Sequence, residues 1–241
     1  DGVITIFMIL FGVNFNLYFF LLMRDWKPVW KNEELKTYLL LILSASLLIT
    51  LNTNHLYANP LKAFRYAVFQ VASIITTTGY ATADYTHWPM FSQCVLLLLM
   101  IIGASASSTG GGMKVARFMM MAKCVRRGIT QMIHPKAVSI IRMNGKKVDT
   151  DVLTNLYIYL MAYIGIVAGS VLLVSIDNMG VGTTFSSVLT TLNNIGPGIE
   201  AVGPNGNFAH FSPLSKLVFC FDMLAGRLEI FPFLMLFTAS A

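Results

Sequence analysis

Two short polar runs interrupt an otherwise apolar chain, and both carry the groups that a dehydrated cation needs. Thr76, Thr77, Thr78, Gly79 and Tyr80 form one; Asn193, Asn194, Ile195, Gly196, Pro197 and Gly198 form the other. A cation leaving water needs oxygens at fixed distances in place of its hydration shell, and a strand of backbone carbonyls ending in glycine supplies them. Non-helical backbone at bilayer depth is tolerated only where it is buried or lines a water-filled cavity. Each run also follows a short apolar stretch whose helix would aim its negative C-terminal end at the same place. The plain alternative makes Gly79 and Gly196 C-cap glycines leading into ordinary outside loops. The two roles are compatible.

A second region is the run Gly103, Ala104, Ser105, Ala106, Ser107, Ser108, Thr109, Gly110, Gly111, Gly112 inside a hydrophobic segment. Small residues can serve close helix packing, but each glycine costs a helix about 1 kcal/mol relative to alanine. Three in succession predict a break under the first polar run, one that can move. The run is not a phosphate loop, because no Lys-Ser or Lys-Thr follows Gly112 and no strand precedes it. Arg227 is the third anomaly: a charge inside the last apolar segment, which marks either a pathway or an ion pair. Its partner in the second case is Asp222 or Glu229. In the first, the guanidinium lies beside the pore and meters cations.

These groups need elements to hold them. A span takes roughly 20 apolar residues, and the windows Val3 to Met23, Thr37 to Leu51, Phe91 to Ile102, Leu153 to Ile176 and Leu214 to Leu236 predict five long helices, some interrupted. Between them, Leu61 to Ile75 and Thr183 to Leu192 are too short to cross and must enter and return on one side. Aligning Gly79 with Gly196 sets Val71 on Val188, Thr78 on Ile195, Tyr80 on Pro197 and Phe91 on Phe208, and places Arg227 opposite Gly110. Identities are few; the order of long helix, short helix, polar run and returning helix is the same twice. Asn59 with Pro60, and Ser212 with Pro213, read as helix starts, and Trp88 with Pro89 as an interfacial aromatic at the start of the third long helix.

The chain is therefore expected to be an all-α integral membrane protein with two helix, re-entrant loop, helix repeats. Residues 1–23 form a leading helix returning from a preceding repeat, 37–127 a repeat with a broken second helix, 128–150 a cytoplasmic connection and 151–241 a further repeat. Within the connection, Asn144 and Gly145 between short apolar runs (Ser139 to Val148) predict a hairpin; a plain basic linker is the alternative. Asp1 leads straight into an apolar helix with no basic leader, and both ends read as cuts through a larger protein.

Composition agrees. The chain is 56% hydrophobic and 12% charged with a mean hydropathy of +0.67, against about a quarter charged in soluble domains. Its net charge of +6 sits in two groups. Arg24, Lys27, Lys31 and Lys36 follow the first helix, and Lys114, Arg117, Lys123, Arg126, Arg127, Lys136, Arg142, Lys146 and Lys147 follow the third. The positive-inside rule places both connections in the cytoplasm. The bases flank spans without a nucleic-acid motif. Cys94, Cys124 and Cys220 lack disulfide or zinc spacing and read as packing residues, and His55, His87 and His210 match no ligand motif. No acid/base or nucleophile set converges, so an enzyme is not expected.

The Thr-Thr-Thr-Gly-Tyr loop, the Asn-Asn-Ile-Gly-Pro-Gly loop, the break at Gly110 to Gly112 and Arg227, in this order, resemble the Trk/Ktr/HKT superfamily of potassium transporters, nearest its bacterial Trk membrane subunits. The resemblance covers essentially the whole chain, as the third and fourth of four repeats plus the last helix of the second. It implies a pseudo-fourfold, channel-like pore in the bacterial inner membrane, with K+ as substrate, no bound cofactor, and Gly79 and Gly196 at the selectivity positions. The carbonyls of Thr78, Gly79, Ile195 and Gly196 would bind the ion. It further implies a gating loop with Gly103, Gly110, Gly111 and Gly112, Arg227 as a constriction, homodimers, and a cytoplasmic nucleotide-binding regulatory subunit of TrkA-like kind. Potassium uptake is the leading reading. A sodium-permeable or poorly selective pathway is its rival, and a non-transporting assembly or regulatory subunit is the alternative from another class.

Overall fold

The computed structural model describes residues 1–134 and 140–228. Lys136, Ser139, Glu229 and the last expected helix beyond residue 228 lie outside the described residues. The described residues are all-α apart from one small hairpin.

The first helix differs from its expectation. Instead of one rod from Val3 to Met23, α1 (Gly2–Phe11) and α2 (Phe15–Leu22) meet at 93°. The sequence there supplies a stop and a start. The N–H of Gly12 donates back to the carbonyl of Met8, and the side chain of Asn14 caps α2 by accepting from the N–H of Asn16. Gly12 is also pressed on Tyr38, whose hydroxyl a Cβ would strike.

α3 (Trp26–Lys31) leads to α4 (Glu33–Thr53), which Asn32 caps by accepting from the N–H of Leu35. α5 (Pro60–Ile75) is the first short helix, with Asn59 at the N-cap position but making no side-chain cap bond. α6 (Met90–Ile102) stops at Gly103, and the irregular segment 103–114 precedes α7 (Val115–Ile133). The hairpin forms as expected: β1 (Arg142–Met143) pairs with β2 (Lys146–Lys147), and Asn144 and Gly145 turn with φ of 50° and 78°. α8 (Thr150–Val174), α9 (Val181–Leu192) and α10 (Pro213–Arg227) repeat the order of α4, α5 and α6, and Ser212 caps α10 by accepting from the N–H of Ser215.

The two repeats part company at their second helices. α6 breaks at Gly103, whereas α10 continues to Arg227. The pairing of Phe91 with Phe208 also fails: Phe91 is on α6, but Phe208 precedes α10 and packs its ring on Phe211 and Phe219. Trp88, expected at the interface, is buried. Its indole N–H donates to the hydroxyl of Tyr57 at 2.9 Å and its ring packs on Tyr85.

Among the described residues, two helical segments are long and apolar enough to cross a membrane, Glu33–Leu56 and Thr150–Asp177, and the bent α1–α2 pair makes a third candidate. Tyr38, Ile42, Ala45 and Ile49 of α4 pack on Ala67, Val71, Ile74 and Ile75 of α5, joined by Leu96 of α6 and Ile195 of the second repeat. In lipid such contacts gain from packing rather than from escape from water. The opposite face of α4, Leu40, Leu43, Leu47 and Leu51, is exposed. α9 is buried yet rich in Ser and Thr, and Ser187, Thr190 and Thr191 donate their hydroxyls to carbonyls of their own helix. Of the cysteines only Cys124 is buried; Cys94 and Cys220 are exposed, so they are not core packing residues.

Candidate functional site

The two polar runs have the same backbone. After α5, the N–H groups of Thr76, Thr77 and Thr78 donate to the carbonyls of Ala72, Ile74 and Ser73; after α9, those of Asn193, Asn194 and Ile195 donate to Leu189, Thr191 and Thr190. Every donor and acceptor corresponds at the offset that pairs Gly79 with Gly196. Thr77 and Asn194 are both left-handed, at φ 54° and 56°, and Gly79 and Gly196 follow at 80° and 107°. The bond from the third residue back to Ser73 or Thr190 is the six-residue closure of a helix C-cap. Capping ends each helix and turns the next residues out into a strand.

The side chains of these runs are spent on scaffolding. Thr76 donates its hydroxyl to Ala72 at 2.7 Å and shares a hydrogen bond with the Thr78 hydroxyl at 2.8 Å. The amide of Asn193 donates to the hydroxyl of Tyr163 at 3.0 Å and to the carbonyl of Leu189 at 2.9 Å, and that of Asn194 to Met223 at 3.1 Å. The carbonyls are treated differently. Among the described residues none from Thr76 to Gly79 or from Asn193 to Gly196 accepts a hydrogen bond. Carbonyls so placed are the oxygen ligands of choice for a monovalent cation.

The glycines stand in unlike surroundings. A Cβ on Gly79 would collide with the carbonyl oxygen of Ile195 and lie 3.2 Å from Cδ of Pro197, so the loops touch there. A Cβ on Gly196 would meet nothing within 4 Å, so this residue borders open space.

The broken segment lies directly beneath. The N–H of Gly111 donates to the hydroxyl oxygen of Thr77 at 2.7 Å. A Cβ on Gly111 would strike the carbonyl of Asn193, and one on Gly110 would come 3.1 Å from that of Thr76. Here glycine is required by close approach to both loops. Arg227 reaches the same segment, donating Nη1 to the carbonyl of Thr109 at 3.2 Å. Asp222 is not its partner: it is buried against the Ser170 hydroxyl at 2.7 Å. Arg227 makes no ion pair among the described residues. A cavity of about 290 Å³ opens between residues 108–112, Lys114, Arg117, Tyr159 and Arg227. Lys114 donates to the carbonyl of Gly110, and the Arg117 guanidinium sits 4.2 Å from the centre of the Tyr159 ring. Three cationic side chains thus gather under the carbonyl loops.

Sequence reasoning named the loops, the glycine run and Arg227, and the structure brings all of them together. It missed Lys114 and Arg117 as companions of Arg227. It also missed Gly226, where a Cβ would overlap the carbonyl of Leu192 at the end of α9. The only signal for Gly226 was a glycine inside a helix.

The outside loops tie the repeats together. The side-chain amide of Asn205 donates to Asp84 at 2.9 Å. Partial burial pushes the Asp84 carboxyl up, but the hydroxyl and amide of Thr86, with Asn205 and His87, outweigh it and hold it below the usual carboxylate range. The N–H of Ser212 donates to the carboxylate of Asp177 at 2.9 Å. His55, His87 and His210 are exposed, and no group of three His, Cys, Asp or Glu side chains assembles among the described residues.

Comparison with known proteins follows the same lines. The family of cation transport proteins designated TrkH matches residues 2–240. The Trk system potassium uptake protein TrkH of Salmonella typhimurium is 34% identical over 241 residues, covering 99% of this chain and 50% of that protein. TrkG of Escherichia coli K12 is 30% identical over 234 residues, 96% of this chain and 48% of that protein. The crystal structure of the potassium transporter TrkH from Vibrio parahaemolyticus superposes with a TM-score of 0.88 at 33% identity, over 96% of this chain and 50% of that one. The chain spans about half the length of the relatives it matches. With its membrane-spanning helices, its paired repeats and this likeness along nearly its whole length, the chain belongs to the TrkH family of cation transport proteins.

Proposed function

We propose that this chain lines half of a potassium-uptake pore in a bacterial inner membrane, with Thr76 to Gly79 and Asn193 to Gly196 as two of four selectivity loops. The observation that carries the reading is the pair of superimposable loops whose carbonyls accept no hydrogen bond among the described residues. An ion entering from outside exchanges water for these oxygens, those of Thr78, Gly79, Ile195 and Gly196 foremost, and the C-terminal ends of α5 and α9 add a favourable field. No covalent step is involved.

Segment 103–114 is the gate. It closes the path under both loops, with Arg227, which makes no ion pair among the described residues, repelling a descending cation. Conduction requires Gly110 to Gly112 to move aside. The hairpin and the basic face of α7 form the cytoplasmic surface on which a nucleotide-binding regulatory subunit would act, and the complete pore pairs as a homodimer. The relatives' names, which specify Trk system potassium uptake, support the choice of ion.

The reading is tested by growth of potassium-uptake-deficient bacteria on low potassium, with a transport-competent assembly carrying this chain. Growth is expected with the native chain and abolished with Gly79→Ser. Sodium uptake as fast as rubidium uptake would favour the poorly selective pathway, and no flux of either ion would favour a non-transporting subunit.

A further inference from the structure

Glu34 has a role that its place in the sequence does not announce. It sits in the first turn of α4, where an acid ordinarily complements the helix dipole from the surface. Here it is 5% exposed. Its carboxylate accepts from the backbone N–H of Ala106 at 2.6 Å and from the side-chain amide of Asn14 at 3.4 Å, and it makes no ion pair among the described residues. A buried charge without a counterion is costly unless donors converge on it. The donors come from two places that must keep a fixed relation: the α1–α2 bend and the broken segment 103–114.

Other bonds run along the same seam. The N–H of Ser105 donates to the carbonyl of Gly12 at 3.1 Å, that of Phe15 to Ser107 at 3.1 Å, and the hydroxyl of Thr109 to Phe11 at 3.3 Å. The segment therefore has a shoulder, residues 105–109, sewn to the bend, and a tip, Gly110 to Gly112, under the carbonyl loops. The Glu34–Ala106 bond is charge-assisted and the shortest of these, and such bonds are roughly twice as strong as neutral ones. Glu33 faces the other way. Its carboxylate pairs with Lys123, and its N–H donates to Asn144 at the hairpin tip at 2.8 Å. The first turn of α4 is thus held from the cytoplasmic side while it holds the broken segment.

We propose that Glu34 is the positioning residue for segment 103–114, fixing its shoulder through the amide of Ala106 so that the tip rests under the carbonyl loops. The inference rests on the reading of that segment as the gate only for its effect on flux; its effect on position stands apart. Glu34→Ala removes both acceptors. Glu34→Gln keeps one oxygen for Ala106 but loses the charge.

The test combines two readouts in a transport-competent assembly: the rate at which a water-soluble thiol reagent modifies Ser105→Cys, a shoulder position that is 1% exposed and joins the seam through its backbone N–H, and basal rubidium flux. Glu34→Ala is expected to raise the modification rate about tenfold, the loss of a charged hydrogen bond in a closed-to-open equilibrium. Glu34→Gln should give a smaller rise, and it replaces Glu34→Ala if that variant does not fold. Rubidium flux should rise in the same order, and not rise further when Gly110 to Gly112 are also deleted. A modification rate unchanged in both variants would overturn the proposal. A faster rate while deletion of Gly110 to Gly112 leaves flux unchanged would support the positioning role and overturn the gate instead.

Discussion

The backbone N–H of Gly111 donates to the hydroxyl oxygen of Thr77 at 2.7 Å, joining the broken helix of the first repeat to the carbonyl loop above it. Thr77 is the left-handed residue of that loop, at φ 54°. One bond therefore links the part read as the filter to the part read as the gate. Thr77→Val keeps the shape and removes the acceptor, leaving an amide with no partner at a cost of about 1–3 kcal/mol. The expected outcome is a higher basal rubidium flux, read in vesicles containing the transporting assembly.

Arg227 is held by one neutral carbonyl, that of Thr109, and by no carboxylate among the described residues. Arg227→Ala removes a charge from the path and a tether from the segment, so both effects point toward higher cation flux. Deleting part of Gly110 to Gly112 should act in the same direction. Unchanged flux in both variants would contradict the gate.

Gly226 should prove intolerant of any side chain. Gly226→Ala places a Cβ on the carbonyl of Leu192, so α10 must withdraw from the end of α9. Overpacking of this kind costs about 1–3 kcal/mol. A lower thermal midpoint in detergent is expected, measured against Gly165→Ala, where a Cβ meets nothing within 4 Å.

The loops outside the membrane should loosen in acid. The Asp84 carboxyl is lowered in the folded chain, so the stabilisation it gives is complete above the unfolded value of about 3.9 and is lost as pH falls through the lower folded value. Amide exchange at Thr86, whose N–H donates to Asp84 at 3.0 Å, is expected to keep its protection from pH 7 to about 5 and lose it below about 4. Asp84→Asn should remove this acid step.

Much of this was legible in the chain. Apolar windows and short polar runs with glycine exposed the repeats, because lipid leaves backbone few ways to be satisfied. Gly110 to Gly112 announced a break because helices reject consecutive glycines. The features that escaped are tertiary. Glu34 reads as an ordinary first-turn acid until Ala106 is found beside it. Gly226 reads as a mild helix defect until Leu192 is seen behind it. The bend at Gly12 did carry a local signal, a glycine stop and the Asn14 cap, but an apolar window long enough to span concealed it. Phe91 and Phe208 matched as letters only, since the loop before α10 is folded differently from that before α6.

The central claim is that backbone carbonyls around Gly79 and Gly196 choose the ion. It is tested most directly by the ratio of rubidium to sodium uptake in the transporting assembly with Gly79→Ser and with Gly196→Ser. Gly79→Ser forces a side chain onto the carbonyl of Ile195 and should abolish most flux. Gly196→Ser projects into open space but strains a backbone at φ 107°, so flux should fall less than in Gly79→Ser while the rubidium preference falls. A native rubidium-to-sodium ratio in both variants would contradict the account.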